Sequence, residues 1–496
     1  MLPISLRTNG RRALIVGGGN VAARKAKALA EAGFAISVVA ERIDDGFRDF
    51  LRGREAALAE RRYAPDDLRG VVLVVAATND SAVNAQIIDE ARAERILSCD
   101  ASAPDRGDFT MPATLRVGDL TISADSHGAS PAFSKRIVRE LSAHFGPEYA
   151  RALETLARVR AAVKDVFPQE EGAQILRELA QRPVAELARM PDRTVVCASR
   201  RSRLAMAQSR TVAARLAERG VATTILGITT SGDRDQRSAI DRLGEVNVFV
   251  TELENALRDG RADYAVHSCK DLPSTLATDL QIAAVSSRED ARDAFCSERY
   301  PDFDSLPSGS VVGTSSPRRR AQLAALRPDL RYETLRGNVD TRLRKLRDAE
   351  YDAIVLAMAG LNRLGQRATH VVPFEPDRMV PAVGQGALAI ETRAGDREIA
   401  QTLRAAVNDP PTELCVQCER AALAALHAGC SAPIGIYARI AEHRMVVAAA
   451  IEREPGSVVR ATMEGRVSTI DEARALGTAL ASALSDRLTV PAGVEQ

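Results

Sequence analysis

Strand and helix patterns alternate twice along this chain, and that double alternation restricts it to α/β folds built on largely parallel sheets. The first series opens with Ala13–Gly19, a short apolar run ending in glycines and expected to be a buried strand. Asn20–Ala32 has helical spacing and is closed by Gly33, a natural stop just past a helix. Phe34–Ala40 is β-rich, and Val71–Thr78 is almost wholly apolar, as a strand covered on both faces should be. Asp80–Glu94 returns to the helical period. Amphipathic helices are then expected at Ala132–Phe145, Glu148–Phe167 and Gln169–Gln181, followed by the punctuation of Arg182-Pro183 and Met190-Pro191. The second series starts at Arg193. Strands at Thr194–Ala198, Thr223–Ile228 and Ala262–His267 alternate with helices at Ser202–Arg219 and Val248–Arg258, and a comparable unit runs from Ser310 to about Gly365. Three β-rich runs (Ile434–Ile440, Met445–Glu452, Val458–Val467) and a helix, Asp471–Leu488, read as a small α+β domain.

At 496 residues the chain is too long for one core, so about three or four domains are expected. The absence of a long apolar run argues against a membrane partner, and Met1–Leu6 lacks the charge and apolar stretch of a signal peptide. A cytoplasmic protein is expected. The seven cysteines are an odd number, too few for a disulfide framework in this length, which agrees with a reducing compartment. With a net charge of +1, no Trp and 4% aromatic residues, nucleic acid is not an expected partner. Basic residues must therefore serve local sites.

One such site is a nucleotide fingerprint. Gly17-x-Gly19-x-x-Ala22 lies between a strand and a helix. Its first glycine allows a tight turn, and its second lets the backbone approach a pyrophosphate seated on the helix N-terminus. Glu41, 24 residues after Gly17, ends the next strand and is placed to accept a ribose hydroxyl, which favours NAD over NADP. Gly17, Gly19, Asn20, Val21, Glu41, Arg42 and Thr78 form the expected NAD set. The alternative is a glycine-rich turn with no nucleotide.

Further motifs accompany the fingerprint: Leu2-Pro3-Ile4, Arg24-Lys25, Ala76-Ala77-Thr78-Asn79-Asp80, Phe109-x-Met111-Pro112-Ala113 and Ser126-x-Gly128-x-Ser130-Pro131. In this order they resemble the precorrin-2 dehydrogenase/sirohydrochlorin ferrochelatase family of siroheme synthesis over about residues 1–190. The resemblance implies a Rossmann-like NAD domain (1–113) and a helical, homodimer-forming region (114–190). It further implies NAD-dependent oxidation of precorrin-2 and, in many members, insertion of ferrous iron as a substrate. The family's Asn-x-x-Asp motif is altered: Cys99 and Ser102 stand at its two polar positions, with Asp100 two residues before Ser102. A serine does not substitute for a carboxylate base near neutral pH. The candidate catalytic residues here are Asp100, Ser102, Ser126 and His127, the last also readable as a surface-loop histidine.

The second half carries seven motifs. They are Ala198-Ser199-Arg200-Arg201-Ser202-x-Leu204-Ala205, Ala265–Pro273 (with His267-Ser268-Cys269-Lys270-Asp271), Val312-Gly313-Thr314-Ser315-Ser316-x-Arg318-Arg319, Leu335-Arg336-Gly337-Asn338-Val339-x-Thr341-Arg342, Ala359-Gly360-Leu361-x-Arg363-Leu364-Gly365, Pro381–Ala387 and Gly429-Cys430-x-x-Pro433-Ile434-Gly435. Together they resemble porphobilinogen deaminase, also called hydroxymethylbilane synthase, from about residue 193 to the end. The resemblance implies two domains like those of periplasmic binding proteins (193–288 with 382–405, and 289–381) and a third small domain (408–496). It also implies a dipyrromethane cofactor, held as a thioether on Cys430, on which four porphobilinogen units are polymerised with loss of ammonia. Asp271 matches the family's catalytic aspartate. Arg200, Arg318, Arg319, Arg336, Arg342 and Arg363 match its cofactor- and substrate-binding arginines, and planar guanidinium groups suit these many carboxylates. Ser202, Ser268, Lys270, Thr314 and Ser315 would add donors.

The remaining features read plainly. Arg344, Lys345 and Arg347 are expected on a solvated face. Cys415-x-x-Cys418 has no second pair and is expected to be packed rather than metal-binding, and Cys269 and Cys296 are likewise expected in packing. No metal site is expected. The segment Gly244–Phe249 replaces the family's flexible lid with a less flexible, acidic stretch, and Pro317 stiffens the turn before Arg318. Two competing readings are a deaminase carrying an inert NAD-binding or dimerising domain, and a non-enzymatic ligand-binding protein of the same fold.

Overall fold

The computed structural model describes residues 2–54, 56–228, 247–427, 432–442 and 444–489. The chain divides into two compact units, Met1–Ala150 and Arg151–Gln496.

The first unit is built on β1 (Arg12–Val16), α1 (Asn20–Glu31), β2 (Ala35–Ala40), α2 (Asp45–Leu51), β3 (Ala56–Glu60), β4 (Leu73–Ala76), α3 (Ser81–Ala93) and β5 (Leu97–Asp100). Its five strands are all parallel, in the order β3-β2-β1-β4-β5. Every residue of β4 is buried, because helices cover both faces of the sheet and an uninterrupted apolar strand is what such a position selects. The chain moves outward from β1 to β3 on one side and then crosses to β4 on the other. A crevice therefore opens at the carboxyl ends of β1 and β4, where an open α/β sheet binds its ligands. Residues 113–124, where a helical region was expected to begin, form a hairpin of β6 (Ala113–Val117) and β7 (Leu120–Ala124). Alternate residues of both strands are half-buried, and Gly118 turns between them at φ +57°. That period of two is short enough to escape notice before α4 (Pro131–Ser142).

The second unit takes up α5 (Pro147–Val166) from Arg151 onward, then α6 (Gln169–Ala180) and α7 (Val184–Leu187). There follow β8 (Thr194–Arg200), α8 (Arg203–Ala217), β9 (Ala222–Ile228), α9 (Asn247–Arg258), β10 (Tyr264–Ser268) and β11 (Leu280–Val285). The chain then leaves this sheet and builds a second from β12 (Asp293–Ser297), β13 (Val311–Gly313), α10 (Pro317–Leu326), β14 (Arg331–Glu333), α11 (Val339–Arg347), β15 (Ala353–Ala357), α12 (Met358–Leu364) and β16 (His370–Pro373). It returns as β17 (Leu388–Arg393), followed by α13 (Arg397–Val407). The two sheets have the orders β11-β17-β10-β8-β9 and β14-β13-β15-β12-β16. Neither is wholly parallel: β17 runs against β10 and β11, and β12 against β15 and β16, because the chain crosses twice between the sheets. Last come α14 (Pro410–Ala425), an antiparallel sheet of β18 (Ile434–Ala441), β19 (Arg444–Glu454) and β20 (Ser457–Gly465), and α15 (Ile470–Thr489), a small α+β domain.

One carboxylate joins these parts. Glu419, fully buried on α14, accepts both terminal nitrogens of Arg288 at 2.8 and 2.9 Å. It also accepts the backbone N–H groups of Gly384 (2.6 Å) and Ala438 (2.8 Å). Arg288 lies on the outgoing crossing, Gly384 on the returning one and Ala438 on β18. The Arg288 guanidinium also sits 5.1 Å from the ring centre of Tyr437. Removing one partner of a buried pair leaves the other charge uncompensated. Glu419→Ala is therefore expected to destabilise the second unit by about 3–5 kcal/mol, seen as a lower denaturant midpoint; an unchanged midpoint would show that the junction does not depend on this pair.

Candidate active site

Between the two α/β domains of the second unit lies a cavity of about 100 Å³ lined by residues from both. Domain one contributes Leu204 and Gln208 from α8, Ser268 from the end of β10, and Lys270. Domain two contributes Arg319, Val339, Arg342 and Arg363 from its helices, and Gln385 and Gly386 come from the returning crossing.

The local structure explains each placement. Tyr264–Ser268 is an inner strand, and a single 3₁₀ turn over Cys269–Asp271 follows where its carboxyl end meets the cavity. Cys269 is buried as the turn's anchor, and Asp271 is exposed. The turn fits because Gly384, at φ +68°, presses on Cys269: a Cβ there would lie 2.5 Å from Sγ. Gln208, itself buried, donates from Nε2 to Ser268 Oγ at 2.7 Å and so ties α8 to the start of the turn. Ser202 caps α8 by accepting from the N–H of Ala205, and Arg200 is half-buried at the end of β8. In domain two, Ser316 caps α10 and Pro317 is its first residue, so the proline starts a helix rather than merely stiffening a turn. Thr314 is buried and its hydroxyl accepts from the N–H of Ser316, while Ser315 donates to the carbonyl of Leu335. Arg336 is exposed.

The arginines divide into two groups. Arg318 and Arg319 both grip Asp293, which is fully buried at the start of β12: Arg318 at 2.6 Å, Arg319 Nε at 2.9 Å. Gln385 Nε2 adds a third donor at 3.0 Å. Burial alone would raise the Asp293 pKa, but Arg318 and Arg319 hold it well below the carboxylate range. Among the described residues, the second group has no carboxylate as a hydrogen-bonding partner. Arg342 Nε donates to the carbonyl of Gly337 at 2.7 Å, and Arg363 to that of Gly386 at 2.6 Å. Burial drives their pKa values down, that of Arg342 to about 10 with Arg319 adding to the effect. Burial likewise pushes Lys270 down to about 8, against the pull of Asp271. These cations are partly desolvated and only partly compensated, the condition of a pocket shaped for an anionic ligand.

Of the residues expected here, Ser268, Lys270, Arg319, Arg342 and Arg363 line the cavity, and Asp271 adjoins it in the chain. Arg200, Ser202, Thr314, Ser315, Arg318 and Arg336 are outside its lining. Cys430 and Gly244–Val246 lie outside the described residues. Gln208, Asp293 and Gln385 were not singled out in the sequence, since their roles depend on partners distant in the chain. Arg344 and Arg347 are exposed and Lys345 pairs with Glu350, a solvated face as expected. All six described cysteines are buried, and burial raises the pKa of each, to about 12 for Cys415 and Cys418.

In the first unit, Gly17 (φ +134°) fits against the end of β4, where a Cβ would lie 2.3 Å from the carbonyl oxygen of Ala77. Gly18, which the fingerprint leaves unassigned, is similarly pressed against Arg42. Gly19 differs: it precedes α1 in extended conformation, no side chain caps the helix, and a Cβ there would be no closer than 3.9 Å to anything. Its bare backbone and the free N–H groups of Asn20 and Val21 form a cradle suited to a pyrophosphate. Glu41 and Arg42 follow β2 and are exposed, Glu41 paired with Arg62 at 3.1 Å. Thr78 follows β4, held by the buried Asn84, whose amide also reaches Ser102 Oγ at 3.2 Å.

Asp100 sits at the end of β5 with its carboxylate fully buried. It accepts from Ser102 Oγ (2.6 Å), the N–H groups of Ser102 and Ala103, and Arg106. Burial alone would raise its pKa, but these donors hold it below the ordinary value. Asp100 thus shapes the loop and orients Ser102, the member of the pair that is exposed. Ser126 and His127 occupy the turn after β7. Ser126 Oγ accepts from the N–H of Ser130, and His127 is exposed at φ +51°.

Comparison with known proteins shows what each part of the chain is similar to. Residues 195–401 match the family model "Porphobilinogen deaminase, dipyromethane cofactor binding domain", and residues 413–486 match "Porphobilinogen deaminase, C-terminal domain". Residues 4–113 match a model described as "Putative NAD(P)-binding". The porphobilinogen deaminase of Chromobacterium violaceum is 48% identical over 295 residues, 59% of this chain and 94% of that protein. That of Albidiferax ferrireducens is 47% identical over 293 residues, 59% and 93% respectively. A solved structure of SirC, precorrin-2 dehydrogenase, is 27% identical with a TM-score of 0.32, covering 37% of this chain and 92% of its own. With family models matching both parts of its second half, and relatives matched over nearly their whole length, the chain belongs to the porphobilinogen deaminase family.

Proposed function

We propose that the second unit joins four molecules of porphobilinogen into hydroxymethylbilane with release of ammonia, through the residues assembled around its cavity. The observation that carries this reading is the cluster of Lys270, Arg319, Arg342 and Arg363 around one cavity with lowered pKa values. The same cations suit a carboxylate-rich dipyrromethane, which, bound through Cys430, supplies the pyrrole carbon from which the chain grows. Arg342 and Arg363 hold acetate and propionate groups of the substrate, and the buried Asp293 keeps Arg319 in place beside them. Loss of ammonia from porphobilinogen leaves a cationic azafulvene. Asp271 stabilises that charge and accepts the pyrrole proton released when the new carbon–carbon bond has formed.

Two experiments follow. Intact-mass measurement is expected to show an excess of one dipyrromethane on the wild-type chain and none on Cys430→Ser; Asp271→Asn is expected to keep its fold and lose about 10²-fold or more in kcat. No excess mass, even after incubation with porphobilinogen, would favour a non-enzymatic ligand-binding protein instead. The second concerns pH. Lys270 is charged below its pKa of about 8 and neutral above it. The KM for porphobilinogen is expected to rise as pH passes that value, and Lys270→Arg to remove the rise, since a guanidinium stays protonated there. A KM that stays flat across this range in the wild type would remove Lys270 from substrate binding.

For the first unit we propose NAD-dependent oxidation of precorrin-2, supported by the parallel sheet, the Gly19 cradle, an exposed carboxylate (Glu41) just past the end of β2 and the motifs shared with that family. NAD supplies the hydride acceptor when bound. We do not extend the proposal to iron insertion, because the carboxylate such chemistry would call on, Asp100, is buried and held by four donors. We further propose that the chain is a homodimer through the hairpin and α4, where Phe133 is 56% exposed and Ile137, Val138 and Leu141 are only half-buried. Since the Gly19 site is open, Gly19→Val is expected to fold normally and lose NAD binding by calorimetric titration, with light scattering on the same sample giving twice the chain mass. NAD binding by Gly19→Val as tight as wild type, or a monomeric mass, would overturn the respective proposal.

A further inference from the structure

Helix α8 serves two neighbours at once. Leu204 and Gln208 face the cavity, and Gln208 holds Ser268 at the head of the turn that carries Lys270 and Asp271. Val212 and Leu216 enter the core beneath the first sheet of the second unit. Ala213 and Ala217 instead join a separate buried cluster made almost wholly of the helical tail: Val159, Val163 and Val166 of α5, Leu179 of α6 and Leu187 of α7. Val159 and Leu179 are 0% and 1% exposed. Two polar contacts fix the arrangement. Arg210, on α8, donates from Nε to the carbonyl of Val166 at the end of α5, at 2.9 Å. Arg158, on α5, reaches the carbonyl of Pro191 at 2.6 Å and pairs with Asp192 just before β8.

We infer that the tail of residues 151–190 is a working part of the deaminase: it seats α8 and, through Gln208 and Ser268, positions the turn of Lys270 and Asp271. The two small residues Ala213 and Ala217 leave α8 an apolar flank fitted to close packing by another helix, and the tail provides it. Relatives matched over 93–94% of their length by about 295 residues of this chain are too short to carry both a deaminase and this front portion. The brace is thus a property of this fused chain. Arg210 and Leu179 are positioning residues that act through α8.

The inference rests on the deaminase reading, and wild-type turnover in the same assay tests that reading separately. The test uses the full-length holoenzyme with Arg210→Ala, Arg210→Lys and Leu179→Ala, assayed at a temperature where each is shown folded by circular dichroism. Arg210→Ala and Leu179→Ala are expected to lose about fivefold in kcat/KM, and Arg210→Lys, which still has a donor for the Val166 carbonyl, to recover most of that loss. If Leu179→Ala does not fold, Arg210→Ala and its lysine rescue decide the matter, since that side chain is only half-buried and outside the apolar cluster. Unchanged kcat and KM in Arg210→Ala, with only a lower melting temperature, would show the tail to be a passive neighbour and overturn the inference.

Discussion

The deaminase site depends on one buried carboxylate. Asp293 lies at the start of an inner strand with no access to water, and two guanidinium groups and an amide converge on it. Burying a charge is costly unless it is paired and hydrogen-bonded, so this acid can remain ionised only while α10, β12 and the returning crossing stay in register. It also sets the charge balance of the cavity. One negative group is shared by Arg318 and Arg319, and Lys270, Arg342 and Arg363 remain to meet an acidic ligand. Were each cation given its own carboxylate, the pocket would be neutral and would hold a polyanion poorly.

The glycines of the first unit separate two jobs that a sequence fingerprint merges. Gly17 and Gly18 are required by the protein itself, since any side chain there would strike backbone already in place. Gly19 meets no such obstacle. Its lack of a side chain serves what comes to the helix end from outside. The loop after β5 shows a related division, with Asp100 buried as the acceptor that shapes the turn and Ser102 presented at the surface.

Much of this was legible in the residue pattern. The glycine turn, the apolar β4 and the restart of alternation at Arg193 each reflect a local rule of periodicity or backbone freedom, and each located its element to within a few residues. Five of the residues proposed for the deaminase site do line its cavity. What stayed hidden is non-local. Glu419 and Arg288 are 131 positions apart, and Asp293 meets Arg318 across 25; no local pattern marks an acid for a partner so distant. Gln208 looks like any polar helix residue until β10 is placed beside it. β3 was missed because Ala-Ala-Leu-Ala-Glu is an edge strand with little burial, and such strands carry a weak signal. The antiparallel β17 was missed because its direction follows from the chain leaving a sheet and coming back.

The burial of the cysteines carries a consequence for how this enzyme meets oxidants and electrophiles. Cys99, Cys197, Cys269, Cys296, Cys415 and Cys418 are all shielded and all have raised pKa values, so at neutral pH they remain protonated and are poor nucleophiles. The seventh cysteine, Cys430, lies outside the described residues. In the proposed thioether with dipyrromethane its sulfur would also be withdrawn from disulfide exchange. A chain with seven cysteines would then behave, as long as it stays folded and primed, much like one with no free thiol at all.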